Sequence, residues 1–134
     1  MAVFENSDLR GLRLLVVEDE AFISLMIEDL VTSFGCVLAG TASTVDEALK
    51  LIETVRIDGA LIDLNLGGEM GAPVGQALLD RGIPLVLVTG YDAPPLHGFP
   101  VVHKPFEPHD LRDAINQHLA PNGGHPDRPL RRGS

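Results

Sequence analysis

The sequence has little positive charge and almost no cysteine, and each shortage excludes a class of protein. Ten lysine and arginine residues stand against nineteen aspartate and glutamate residues, so the net charge is −9. Such a chain repels phosphate backbones, and no predicted helix carries a basic stripe, so we expect no direct binding to nucleic acid. The single cysteine, Cys36, excludes an internal disulfide and is expected to be a small core residue.

Long apolar runs are also absent. No run approaches the roughly 18 residues that a membrane span needs. The N-terminus mixes Glu5, Asp8 and Arg10 with polar residues and lacks the apolar centre of a secretory signal. Together with the single cysteine, these absences predict a cytoplasmic protein without a membrane partner. The 134 residues suit one domain with one core.

Apolar runs and amphipathic segments alternate along the chain. Continuous apolar runs predict strands at 12–17, 36–42, 59–63, 83–88 and 100–103. Helical spacing of apolar residues predicts helices at 20–34, at about 45–55, near 74–80 and at about 108–119. Gly35 is placed to end the first helix, and Thr44 and Glu47 match a capping box before the second. A Gly-rich turn is expected at 67–68. The alternation predicts right-handed crossovers and a doubly wound α/β fold with a parallel sheet.

The boundaries of the domain follow from composition. We expect residues 1–11 to be an N-terminal extension, 12–119 the domain and 120–134 a flexible tail. The tail is rich in proline and glycine, so its basic cluster of Arg128, Arg131 and Arg132 is better explained as solvated than as a docking segment. Only about nine residues, 91–99, join the last two strands, whereas a crossover with its helix usually needs at least ten to twelve. We predict a mobile loop or single turn there. The helix that a regular β-α alternation has between its fourth and fifth strands, called the fourth helix here, is therefore expected to be shortened or missing.

Polar residues follow four of the predicted strands. They are Glu18-Asp19, Asp63, Thr89 and Lys104-Pro105. Ligands of open parallel sheets bind at the carboxyl ends of the strands, so we expect these groups to converge on one site. Each residue alone is as well explained as a helix cap or a solvated loop residue, but four such positions in chain order favour a functional site.

The charges at these positions predict a cation. Three carboxylates facing Lys104 cannot all stay ionised without a counterion, and their oxygen donors select magnesium or manganese over zinc. A carboxylate beside Mg²⁺, a hydroxyl and a lysine can also hold a phosphoryl group. Asp63 can attack phosphorus to form an acyl phosphate, with Thr89 donating a hydrogen bond and Lys104 forming an ion pair.

This set of motifs, on a five-fold β-α alternation, resembles the receiver domain of two-component response regulators over about residues 12–119. The resemblance implies a flavodoxin-like five-stranded sheet of order 2-1-3-4-5, with Asp63 accepting phosphate from a histidine kinase or a histidine phosphotransfer protein. It further implies that Asp19, Asp63 and the backbone carbonyl of Asn65 bind Mg²⁺, with Glu18 acting mostly through water. Lys104 would contact the phosphoryl group, Thr89 would move towards it, and the Lys104–Pro105 bond would be cis.

The sequence departs from the usual receiver pattern at two places. Val101 stands where receivers usually carry an aromatic switch residue, and the short 91–99 connection removes most of the fourth helix. Thr89, Gly90 and Tyr91 partly resemble receivers with a Phe-Ala-Thr-Gly-hydrophobic-Tyr motif, which are often free-standing proteins. Tyr91 either covers the phosphoryl site or packs on its loop, and His103 is expected to be structural because strand neighbours point to opposite faces.

The predicted function is that of a stand-alone receiver, a monomer or weak dimer that signals through protein contacts. Its chemistry would be limited to phosphorylation and dephosphorylation of Asp63, and it would serve as a phosphate sink, a relay carrier or an allosteric adaptor. The alternatives are a magnesium-dependent phosphohydrolase with Asp63 as nucleophile, a pseudo-receiver that never turns over phosphate, and a receiver fragment of a hybrid kinase.

Overall fold

Strands and helices alternate along most of the described chain. A computed structural model describes residues 9–63, 65–66, 69–90 and 98–121, with the backbone alone at 65–66 and 69–70. The strands are β1 (Arg13–Val17), β2 (Val37–Ala42), β3 (Gly59–Ile62), β4 (Asn65–Leu66), β5 (Glu69–Met70), β6 (Leu85–Thr89) and β7 (Val101–His103). The helices are α1 (Ala21–Ser33), α2 (Val45–Thr54), α3 (Ala72–Asp80) and α4 (Pro108–His118). Each predicted element is present, with ends that differ by a few residues from those expected.

Five of the strands form one parallel sheet in the order β2-β1-β3-β6-β7. For these strands, numbered along the chain, that is the order 2-1-3-4-5, so the flavodoxin-like prediction is confirmed. The strands β4 and β5 form a separate antiparallel pair, and the Gly-rich turn predicted at 67–68 lies outside the described residues. With two residues each, they are too short to leave a periodic signal in the sequence.

Helices cover both faces of the sheet, which explains why its central strands are apolar throughout. Along β1, Leu14 and Val16 pack in the layer under α1 and α4, while Leu15 and Val17 pack in the layer under α2 and α3. A strand buried on both faces reads as a continuous apolar run. Cys36 belongs to the first layer, and burial raises the pKa of its thiol to about 12, which confirms it as a core residue.

The core extends beyond residues 12–119 at both ends. Leu9 and Ala120 are fully buried and belong to the layer under α1 and α4. Leu119 closes the bottom of the sheet against Gly59, where an added Cβ would lie 3.2 Å from the Leu119 Cβ. These contacts anchor both ends of the described chain to the core.

Local sequence signals account for the helix ends. Gly35 has a φ of 99° after α1, a conformation that glycine tolerates best, and it ends the helix as predicted. Thr44 accepts a hydrogen bond from the Glu47 N–H at 3.1 Å, as a capping residue should. The Glu47 carboxylate accepts from the N–H of Ser43 at 2.8 Å, one residue earlier than in a capping box.

Some predictions fall on residues that the structure does not describe. Residues 91–97, including Tyr91, and 122–134, including the basic cluster, lie outside the described residues. Residues 98–100, the described part of the last crossover, contain no helix. Within the described ranges, none of the helices has the length and apolar character required to cross a membrane.

Candidate functional site

The carboxyl ends of the sheet strands bring the predicted polar residues together. The Asp63 N–H donates to the carbonyl of Val17 at 2.9 Å, and the Lys104 N–H donates to the carbonyl of Thr89 at 3.0 Å. The Glu18 N–H likewise donates to Ala42 at 2.9 Å. Because these bonds continue the parallel ladders past the strand ends, they fix the backbone from which each functional side chain projects.

The Asp63 carboxylate lies between a hydroxyl and an ammonium group. The Thr89 hydroxyl donates to Asp63 Oδ1 at 3.1 Å, and Lys104 Nζ donates to Asp63 Oδ2 at 3.0 Å. Asp63 and Thr89 are both buried. Two donors on different oxygens orient the carboxylate, and the low local dielectric strengthens both contacts.

Lys104 is the cation shared by three carboxylates. Its Nζ lies 2.8 Å from Glu18 Oε1, 3.0 Å from Asp63 Oδ2 and 3.4 Å from Glu20 Oε1. Glu18 Oε1 is buried and has no hydrogen-bond partner among the described residues. Its contact with Lys104 is an ion pair, and charge attraction at 2.8 Å depends little on angle. The Lys104–Pro105 bond is cis, as the resemblance implied.

Burial dominates the electrostatics of Glu18. Its side chain is 1% exposed, and this desolvation raises its pKa from 4.5 to about 7, against the lowering effect of Lys104. The Asp63 charge raises the pKa of Glu18 further. For Lys104, burial lowers the pKa, but the contacts with Glu18 and Asp63 outweigh it, so its pKa lies above the ordinary value. The carboxylates therefore carry more negative charge than one ammonium can balance.

The donor set fits a small divalent cation. Carboxylate oxygens of Glu18, Glu20 and Asp63 all lie within 4.8 Å of one another. Hard oxygen donors at this spacing are suited to Mg²⁺ or Mn²⁺, and the buried Glu18 carboxylate has a negative charge that Lys104 alone does not balance. Such an ion would supply positive charge to neutralise transferring phosphoryl oxygens.

The predicted ligands are only partly brought together. The group of three carboxylates consists of Glu18, Glu20 and Asp63, while Asp19 is exposed and its role as a ligand stays a prediction. Asn65 is in β4, two residues after Asp63, and the role of its carbonyl stays a prediction. Sequence reasoning missed Glu20, although the acidic run Glu18-Asp19-Glu20 at the end of β1 was the available signal.

Two open grooves border this part of the fold. A groove of about 750 Å³ runs beside α1 and α2 and is lined at one end by Glu18 and Asp19. A second, of about 410 Å³, lies between β7 and α4 and is lined by all three residues of β7. Val101 and His103 are exposed while Val102 between them is buried, as strand alternation predicts.

Comparison with known proteins identifies the family of the chain. The family model described as "Response regulator receiver domain" matches residues 14–116. The chain is a response regulator receiver domain. It therefore belongs to the proteins of two-component signalling, and its sheet order and polar strand ends are those expected from the resemblance in the sequence.

Several relatives of this receiver are known. The solution structure of SdrG from Sphingomonas melonis Fr1 is 37% identical, with a TM-score of 0.70 over 82% of this chain and 96% of that chain. The positive alginate biosynthesis regulatory protein of Pseudomonas aeruginosa is 30% identical over 83% of this chain and 48% of its own length. The phyllosphere-induced regulator PhyR of Methylorubrum extorquens is 30% identical over 79% and 43%. The receiver thus spans less than half the length of these two regulators.

Proposed function

We propose that this receiver accepts a phosphoryl group on Asp63 from a histidine kinase or a histidine phosphotransfer protein and signals through protein contacts. The observation that carries the proposal is the placement of the Asp63 carboxylate between Thr89 and Lys104, at 3.1 Å and 3.0 Å. A nucleophilic carboxylate needs positive charge and a hydrogen-bond donor around the oxygens of the incoming group, and these two side chains supply them.

The proposed step exchanges one phosphorus bond for another. An Asp63 carboxylate oxygen forms a bond to phosphorus while the bond between phosphorus and the donor histidine nitrogen breaks, and that nitrogen keeps the electron pair. Asp63 then carries an acyl phosphate, whose charge is about −1.5 to −2 in place of −1. Lys104 and Thr89 lie within reach of the new oxygens. The contacts that they now make with Asp63 would be redistributed towards the phosphoryl group.

This redistribution offers a way to signal. Thr89 ends β6 and Lys104 follows β7, so movement of their side chains acts on the adjoining loops. A local change of charge that biases a nearby loop between two states is a common switching device. Membership of the receiver family favours this function over a magnesium-dependent phosphohydrolase that would also use Asp63 as nucleophile.

The test is phosphorylation by a small phosphodonor. The full chain is incubated with phosphoramidate and Mg²⁺, and intact mass spectrometry measures the addition of one phosphoryl group. We expect modification of the wild type and of Asp29→Asn, an exposed control on α1, and none of Asp63→Asn. Equal modification of Asp63→Asn would overturn the assignment of the acceptor, and an unmodified wild type would overturn phosphoacceptance itself.

A further inference from the structure

An exposed apolar stripe runs along α1. Phe22 is 89% exposed, Leu25 58% and Met26 40%, and their spacing places all three on one side of the helix. The core does not cover this stripe, because Ile27 and Val31 occupy the face of α1 that packs against the sheet. Single exposed apolar residues are ordinary, but three large ones side by side on a helix favour a surface that another segment or protein covers.

The start of the chain enters the fold beside the C-terminal end of this helix. Leu9 is fully buried in the layer that α1 and α4 share. The Gly11 N–H donates to the carbonyl of Gly35, which directly follows the end of α1, at 2.9 Å. Residues 1–8 are therefore tethered next to the end of α1, on the side of the sheet that carries the stripe.

Residues 1–8 have the composition and the length to reach the stripe. Their first four residues, Met-Ala-Val-Phe, are apolar, and polar residues separate them from Leu9. The five residues from Leu9 to Phe4 span about 17 Å when extended. From the last residue of α1, Met26 lies about 11 Å and Phe22 about 17 Å along the helix. The Phe4 side chain can therefore contact the stripe while Leu9 stays in the core.

The seam between α1 and α4 borders the stripe and contains a polar atom that needs a partner. Ser24 lines the groove beside α2, so Met26, two positions further, lies on the opposite flank of α1, towards α4. Ala114 and His118 line the groove beside β7, so Asn116 between them lies on the flank of α4 towards α1. Asn116 Oδ1 is buried without a hydrogen-bond partner in the described part of the chain. Buried acceptors are nearly always satisfied, and a backbone N–H in this seam would satisfy this one.

We propose that residues 1–8 dock along the seam between α1 and α4 and cover Phe22 and Met26 with Phe4. The docked segment shields this apolar face from water and from other proteins. The contact does not require phosphorylation of Asp63, so it goes beyond the proposed function and is tested separately from it.

The test is a double-mutant cycle on the full chain, with urea unfolding followed by circular dichroism. Phe4→Ala should lower the stability of the wild type and have little effect once Phe22→Ala is present. We expect a coupling of about threefold to tenfold in the unfolding equilibrium constant, as for an aromatic pair in contact. Leu79 is also exposed but lies on α3, under the other face of the sheet, so Phe4→Ala and Leu79→Ala should be additive within about twofold.

Fluorescence gives a direct second readout, because the chain contains no tryptophan. In Phe22→Trp, the further change Phe4→Ser should move the emission maximum to longer wavelength as the indole becomes hydrated. In Leu79→Trp, the same change should leave the emission maximum where it is. Additive effects of Phe4→Ala and Phe22→Ala, with an emission of Phe22→Trp that Phe4→Ser does not alter, would overturn the proposal. An emission of Phe22→Trp that depends on protein concentration and not on Phe4 would overturn it too, since a second copy would then cover the stripe.

Discussion

Replacing Glu18 with glutamine should remove much of the pH dependence of folding stability. Burial raises the pKa of Glu18 from 4.5 to about 7, so between these values the folded protein binds more protons than the unfolded protein. The free energy of unfolding therefore falls as the pH rises from about 4.5 to about 7. At roughly 1.36 kcal/mol for each pKa unit, this difference corresponds to about 3 kcal/mol.

The assay is urea unfolding at pH 5 and pH 8 in EDTA, followed by circular dichroism. Other groups also titrate in this range, so the decisive quantity is how far the wild type loses stability relative to Glu18→Gln. We expect that relative loss to approach about 3 kcal/mol, because glutamine keeps the shape of the side chain but cannot ionise. Glu53→Gln, an exposed control on α2, should follow the wild type at both pH values.

Magnesium provides an internal check on this reasoning. A cation bound beside Glu18 stabilises its ionised form, so saturating Mg²⁺ should stabilise the wild type more at pH 8 than at pH 5. The same addition should affect Glu18→Gln less. Identical changes of unfolding free energy between pH 5 and pH 8 in the wild type and Glu18→Gln would refute the electrostatic account of this buried carboxylate.

Other substitutions test the packing and the charge balance. Lys104→Met should lower the unfolding free energy by roughly 3 kcal/mol at pH 8, because Glu18 and Asp63 lose their buried counter-charge. The loss should be smaller at pH 5, where Glu18 is protonated. Urea unfolding at both pH values measures the difference. Leu9→Ala should cost roughly 2–5 kcal/mol by chemical denaturation, and a loss below about 1 kcal/mol would contradict burial of Leu9 in the core. Gly35→Ala forces an alanine to a φ of 99° and should lower the stability by roughly 1–2 kcal/mol, read from thermal unfolding, whereas an unchanged melting temperature would show that the turn relaxes.

The parallel α/β sheet and the meeting of Asp63, Thr89 and Lys104 at one edge followed from local patterns, whereas the order of the strands was implied only by the resemblance to receivers. A strand buried on both faces must be apolar throughout, so its end is marked where the first polar residue appears. Parallel strands joined by helices place all such ends at one edge, whatever the details of packing. The approach of the Glu20 carboxylate to Lys104 did not follow. It depends on where α1 starts and on the direction that its N-cap side chain takes.

Burial of Leu9 was missed for a similar reason. A single apolar residue beside Asp8 and Arg10 carries no periodicity, so nothing in its neighbourhood indicates a place in the core. Its burial results from the layer formed by α1 and α4, which becomes available only when distant segments have packed. The strands β4 and β5 were not predicted either, because two residues are too few to show a periodic pattern.

Runs of apolar residues were enough to specify a parallel α/β sheet and the edge at which its polar side chains meet, since hydrophobic burial is set by composition and spacing. The balance of charge at that edge required the folded chain. The contacts of Lys104 join it to Asp63, 41 residues away, and to Glu20, 84 residues away. Coulomb interactions depend on distances in space, and burial sets how strongly water screens them, so the raised pKa of Glu18 and the position of Glu20 appear only when the strands and helices have packed.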